Sequence, residues 1–258
     1  MTGIPLLVVG AEPAFAARTK PAANPTAKTV QIERLIREAQ AFPRVAQRID
    51  FISAGLLGVR YQANTLIGSP KLAERFVVRD DAFDCVTYCE VVLAAALAAD
   101  LESFETMLRR IRYDHGNVQY DQRNHYFADW CSRNIANGIC RSVAIDPPVV
   151  FDKTLTWHRE FGNRRVSIAA IDKSTLMNNT RKLAAGDIIG FVSRRAGLDY
   201  YHTGLIAFGK NGELMLRDAS QTHRRVVEEK MATFVAVNPV RYVTLLRAAG
   251  SAPVAERR

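Results

Sequence analysis

Apolar residues in the first third of the chain recur at helical spacing. Ile32, Leu35, Ile36 and Ala39 fall three or four apart, which predicts an amphipathic helix over about 30–48. Phe51 to Tyr61 reads as a short helix giving way to a glycine turn, and the stretch from Pro70 to Val78 leads toward a third helix. From Val91 to Leu101 almost every position is apolar, so a helix running from Cys85 to about Asp100 is buried on all sides, with Asp84 as its N-cap. A further helix is predicted over about 103–113. The pattern changes after Ile145-Asp146-Pro147-Pro148. Short β-rich runs follow at 188–192, 203–208, 214–216 and 240–246, and Lys210-Asn211-Gly212 turns the second into the third. Helices first and strands second predict an α+β fold, a helical N-terminal half packed on a small antiparallel sheet.

Composition narrows the class. With 258 residues, 48% hydrophobic and 24% charged, the chain has the make-up of one globular domain, expected over 29–249 with a tail at 250–258. No apolar run approaches the roughly 20 residues of a membrane helix. The formal net charge is +9, yet Lys and Arg are scattered in pairs such as Arg109-Arg110 and Arg194-Arg195. That distribution describes a solvated basic surface rather than a specific nucleic-acid partner. At the start, Gly3 to Gly10 is apolar and Ala14-Phe15-Ala16-Ala17 offers small residues at cleavage spacing, although a basic leading segment is missing and Glu12 interrupts. Residues 1–28 are therefore expected to be a truncated signal peptide and flexible leader, placing the protein in the periplasm or outside the cell. Four cysteines, at 85, 89, 131 and 140, include no C-x-x-C pair and do not spell a metal site. Cys131 and Cys140 are either a disulfide or two buried small hydrophobes.

Two segments carry candidate chemistry. Cys85 follows the N-cap of a firmly held helix, where the positive end of the helix dipole favours a thiolate. His202 opens a strand, with acid and hydroxyl residues on the strand that follows, and can act as a general base. Its orienting partner depends on the turn. A two-residue loop places it opposite Gln221; a three-residue loop places it opposite Ser220, with Asp218 diagonal on the same face.

These residues resemble the NlpC-like papain-fold cell-wall hydrolases, and among them the N-acetylmuramoyl-L-alanine amidase-like family. The resemblance covers about 51–246 and rests on four segments: Gly58-Val59-Arg60-Tyr61, Phe83 to Glu90, Arg123 to Trp130, and Gly186-Asp187 followed by His202-Thr203-Gly204. Arg60 stands where proline is usual, and Arg217-Asp218-Ala219-Ser220 departs from the His-Ala-Ser of relatives. The resemblance implies a papain-like fold and a cysteine-dependent amidase with Cys85, His202 and Asp218 as catalytic residues. Tyr61 and Asp84 would support the nucleophile and oxyanion. Arg123, His125, Tyr126, Asp129, Trp130, Thr203 and Ser220 would contact substrate. Soluble or polymeric MurNAc-peptides are the implied partners of a monomer that needs no metal or other cofactor. A stem-peptide endopeptidase, an acyltransferase or lipid hydrolase, and a non-catalytic basic binding module are the competing readings.

Overall fold

The computed structural model describes residues 29–250, so the expected signal segment at 1–28 and the tail at 251–258 lie outside the described residues. The helix predicted over 30–48 is two helices, α1 (Val30–Ala39) and α2 (Val45–Gly55). Pro43 explains the break, because it has no N–H to donate and disfavours helical geometry in the residue before it. Short strands follow: β1 (Arg60–Tyr61), β2 (Ile67–Ser69), β3 (Leu72–Arg75) and β4 (Ala82–Phe83). Next come α3 (Cys85–Leu97), α4 (Leu101–Arg112), α5 (Phe127–Ala136) and β5 (Cys140–Ser142). The second half contains β6 (Val149–Leu155), β7 (Arg164–Asp172), α6 (Lys173–Asn178), β8 (Ile188–Val192), β9 (Tyr200–Phe208), β10 (Leu214–Ser220), β11 (Arg225–Lys230), α7 (Met231–Val237) and β12 (Tyr242–Ala248).

The α+β architecture stands, but the sheet is neither small nor wholly antiparallel. Ten strands form it, in the order β4-β1-β11-β10-β9-β8-β12-β7-β6, with β5 added beside β12. β1 and β4 run parallel. Of the strands that sequence patterning passes over, β6 and β7 alternate buried or partly buried with exposed positions over most of their length, and β11 is rich in charge at Arg225, Glu228, Glu229 and Lys230. They gain their strand character from neighbours, not from apolar runs.

Both faces of the central strands are covered. Leu205 belongs to the core beneath α3, with Ala219 and Val226, whereas its neighbour Ile206 packs with Leu216, Met231 and Phe234 on the side covered by α7. Helix α3 is buried almost throughout, as its apolar run predicts. Gly204 lets β9 and β10 lie close, since a Cβ there would sit 2.8 Å from the Arg217 carbonyl oxygen.

Candidate active site

The start of α3 is tightly capped. Asp84 Oδ1 accepts the Thr87 N–H at 2.8 Å and the Thr87 hydroxyl at 2.8 Å, while Thr87 Oγ1 accepts the Asp84 N–H at 2.9 Å. This reciprocal box fixes the first helical residue, Cys85, which is partly exposed. The other three cysteines are buried and all four are free, so Cys131 and Cys140 are not bridged. Burial pushes the thiols of Cys89 and Cys131 well above the ordinary range, and that of Cys140 up to about 12.

The loop from β9 to β10 closes with the Gly209 N–H donating to Glu213 O at 2.9 Å, leaving Lys210, Asn211 and Gly212 as a three-residue turn in which Gly212 takes a φ of +74°. With Phe208 paired to Leu214 and Leu205 to Arg217, the same register carries Asp218 onto the face of His202. His202 Nε2 lies 2.9 Å from Asp218 Oδ2, and the Asp218 side chain is 1% exposed. The ring lies against the packed pair of Phe191, at 6.0 Å, and Phe234, at 5.6 Å. Burial works against an imidazolium there, but hydrogen bonding to Asp218 and to the Cys85 sulfur outweighs it and raises the His202 pKa to about 10. Since Asp218 engages Nε2, Nδ1 is the nitrogen left for the sulfur. Of the other two orienting candidates, Ser220 bonds His223 Nδ1 at 3.0 Å and Gln221 is exposed.

Tyr61 reaches the same place through the parallel pairing of β1 with β4, which sets it beside Phe83, two residues before Cys85. Its hydroxyl is pushed up to about 12, first by burial and then by Cys85 and Asp84. It is therefore a hydrogen-bond donor at neutral pH.

The Arg123 to Trp130 segment divides. Arg123, His125, Tyr126 and Asp129, with Asp121, Arg133, Phe161 and Arg164, line a cavity of about 180 Å³ on whose wall Cys85 and His202 do not lie. Arg123 Nη1 donates to both carboxylate oxygens of buried Glu74, at 2.9 and 3.0 Å, so its charge is already paired within the protein rather than free for a substrate carboxylate as expected. His125 Nε2–H donates to the Tyr120 carbonyl at 2.6 Å, and burial lowers its pKa to about 4, which keeps the ring neutral. Tyr126 accepts the His158 N–H at 2.8 Å, and Asp129 pairs with Arg164. Trp130 is not a cleft residue. It is fully buried, stacked on Phe127 at 5.1 Å, because its position on α5 turns inward. Thr203 is also a core residue: the alternation of β9 points it under α3, where its hydroxyl donates to Ile189 O at 2.8 Å.

Sequence reasoning missed Glu74, Phe191, Phe234 and Asp199. Asp199 Oδ2 accepts the Ala128 N–H at 2.7 Å, tying the start of α5 to a point three residues before His202. None of these carries a local signal, although a solitary acid just ahead of a strand is the pattern that Asp199 shows. Among the described residues no cluster of three or more His, Cys, Asp or Glu side chains is placed to hold a metal ion, and no helix is long and apolar enough to cross a membrane.

A cysteine on a capped helix start, facing a histidine that a buried carboxylate holds, is a hydrolase-type arrangement on an α+β scaffold. The chain belongs to the N-acetylmuramoyl-L-alanine amidase-like family, whose model matches residues 51–242. It is similar to a crystal structure of an N-acetylmuramoyl-L-alanine amidase from Bacteroides uniformis, at 26% identity and a TM-score of 0.67 over 76% of this chain and 97% of that one. A second amidase structure from the same organism shares 24% identity with a TM-score of 0.67, over 85% and 99% of the two chains. A Legionella pneumophila protein shares 22% identity with a TM-score of 0.76, over 90% and 99%. The last two are likenesses of fold alone. No curated protein matches the sequence.

Proposed function

We propose that the protein is a cysteine-dependent N-acetylmuramoyl-L-alanine amidase of papain-like, NlpC-type architecture, acting as a monomer on MurNAc-peptides outside the cytoplasm. The observation that carries this reading is the buried His202–Asp218 contact of 2.9 Å, on a ring whose charged form the Cys85 sulfur also favours, within a chain of the amidase-like family. Asp218 favours the imidazolium, which in turn stabilises a Cys85 thiolate. The thiolate attacks the lactyl carbonyl carbon of N-acetylmuramic acid, and the oxyanion receives the Cys85 N–H at the start of α3 together with the Tyr61 hydroxyl. His202 gives its proton to the departing alanine amine. It then takes a proton from the water that releases the acyl group, restoring the thiolate. His125, Tyr126 and Asp129 flank the substrate beyond the α5 start, and Arg123 supports that wall through Glu74.

Incubation of a purified MurNAc-peptide followed by mass spectrometry tests the proposal. Free N-acetylmuramic acid and an intact peptide beginning with alanine are expected; fragments cut within the stem peptide would assign an endopeptidase instead. Iodoacetamide near neutral pH should label Cys85 ahead of the three buried cysteines and stop hydrolysis.

A further inference from the structure

The turn from β10 to β11 carries a residue that this mechanism does not use. Ser220 ends β10 and Arg225 begins β11, so residues 221–224 make the crossing. Arg224 holds a φ of +60°, in the left-handed region that a long side chain enters at a cost and that glycine or asparagine takes readily. Its carbonyl oxygen accepts the Tyr61 N–H at 2.9 Å, and the next residue, Arg225, pairs with Arg60. The backbone thus fastens Arg224 beside Tyr61. Its charge acts on the Tyr61 hydroxyl, the same hydroxyl that feels the Cys85 sulfur and the Asp84 carboxylate. The Arg224 backbone is thus bonded to the strand residue that pairs with Phe83, two residues before Cys85.

Arg123, Arg133 and Arg164 in the cavity by α5 each face a carboxylate, and Arg60 reaches Asp81. Arg224 differs in this from the arginines of the cavity by α5 and from Arg60. It is exposed and takes part in no ion pair among the described residues. An unpaired arginine whose backbone is fastened beside Tyr61, in a conformation better suited to glycine, is a site for a negatively charged group.

We propose that Arg224 is a specificity-determining residue that binds a carboxylate of the substrate close to the amide attacked by Cys85. This deepens the amidase reading and rests on it for the identity of the substrate. In a muropeptide, the acidic residue that follows the first alanine supplies such a carboxylate.

Two measurements decide the matter. In the first, the Cys85 peptide is followed by mass spectrometry while the protein is alkylated by anionic iodoacetate or neutral iodoacetamide at low salt. Arg224→Asn accepts the left-handed backbone without the charge, and it should lower the iodoacetate to iodoacetamide rate ratio at least about threefold. Arg224→Lys should keep most of it, and added salt should shrink the difference. In the second, kcat/KM is compared for a muropeptide and for its carboxamide counterpart. The acid-over-amide preference of the wild type should fall at least about fivefold in the Asn variant, mainly through KM. Arg224→Gly serves as a second variant with relieved backbone, and its melting temperature should be no lower than wild type. An unchanged alkylation ratio in the Asn and Gly variants overturns the proposal. If neither muropeptide is cleaved by any form, the amidase reading falls, while the alkylation ratio still decides the role of Arg224.

Discussion

His202 is held by opposing influences: burial resists its charge, and the Asp218 carboxylate with the Cys85 sulfur favours it. Its folded-state pKa of about 10 lies above the ordinary 6.5. The imidazolium therefore contributes to stability fully below pH 6.5, and that contribution is lost as pH rises through about 10. Asp218→Asn removes the charged acceptor. It should lower turnover by roughly a hundredfold, shift the alkaline limb of the pH–rate profile to lower pH, and flatten the fall in melting temperature across the same window. Ser220→Ala and Gln221→Ala should leave the profile's shape unchanged, because Ser220 bonds His223 and Gln221 is exposed. Arg123 is a different case. With buried Glu74 as its partner, Arg123→Lys should be read in a denaturation curve before it is read in kinetics, since the shorter-reaching ammonium must replace the Nη1 that bonds both carboxylate oxygens.

At the scale of elements, α3 carries the proposed nucleophile, and β9 with β10 carries the histidine and carboxylate proposed to act with it. The Asp84 and Thr87 box sets where α3 begins, and so where the Cys85 sulfur stands. Asp84→Ala should cost about 1 kcal/mol in chemical denaturation. It should also slow iodoacetamide labelling of Cys85, because a frayed first turn weakens the dipole at the sulfur. Labelling at the wild-type rate would mean that His202 alone supplies the thiolate's stabilisation. The β9–β10 hairpin works by register: its three-residue turn puts Asp218 on the His202 face, and a slip of one residue would send that carboxylate to the core beneath α3.

Across the whole molecule, a buried ion pair joins α3 to the rest of the helical half. Arg112 Nε donates to Glu90 Oε2 at 2.7 Å, with side chains 2% and 3% exposed, and Arg112 Nη1 donates to Val77 O at 2.6 Å. The pair clamps α3, α4 and the segment before β4 together. Burial, more than any other influence, raises the Glu90 pKa, with Arg112 opposing. Arg112→Met leaves Glu90 without its counter-charge and should cost about 3–5 kcal/mol at neutral pH. Part of that loss should be recovered toward acid pH as Glu90 takes up a proton, and part again in the Glu90→Gln/Arg112→Met double variant. Denaturant unfolding at two pH values reads both effects. Additive losses in the double variant would show that the two side chains act independently.

What the sequence determined by itself is local. The apolar run after Asp84, the capping residue next to Cys85, the histidine near the start of a strand and the glycine turn after Phe208 each depend on neighbours a few residues away, and each is found where the pattern predicts. The tertiary structure decided what depends on distant partners. Glu74 claims Arg123 from 49 residues away, so a side chain that looks free in sequence is occupied. The half-exposed segments of β6, β7 and β11 become strand beside other strands, which is why the sheet is larger than its apolar runs suggest. A parallel pairing that no local pattern announces brings Tyr61 to Cys85, and through it Arg224. Trp130 and Thr203 read as polar-site residues by their neighbours in sequence, but the inward side of α5 and the pleat of β9 bury them. Short-range hydrogen bonding and periodicity set the elements. The face each residue presents is set only when those elements pack.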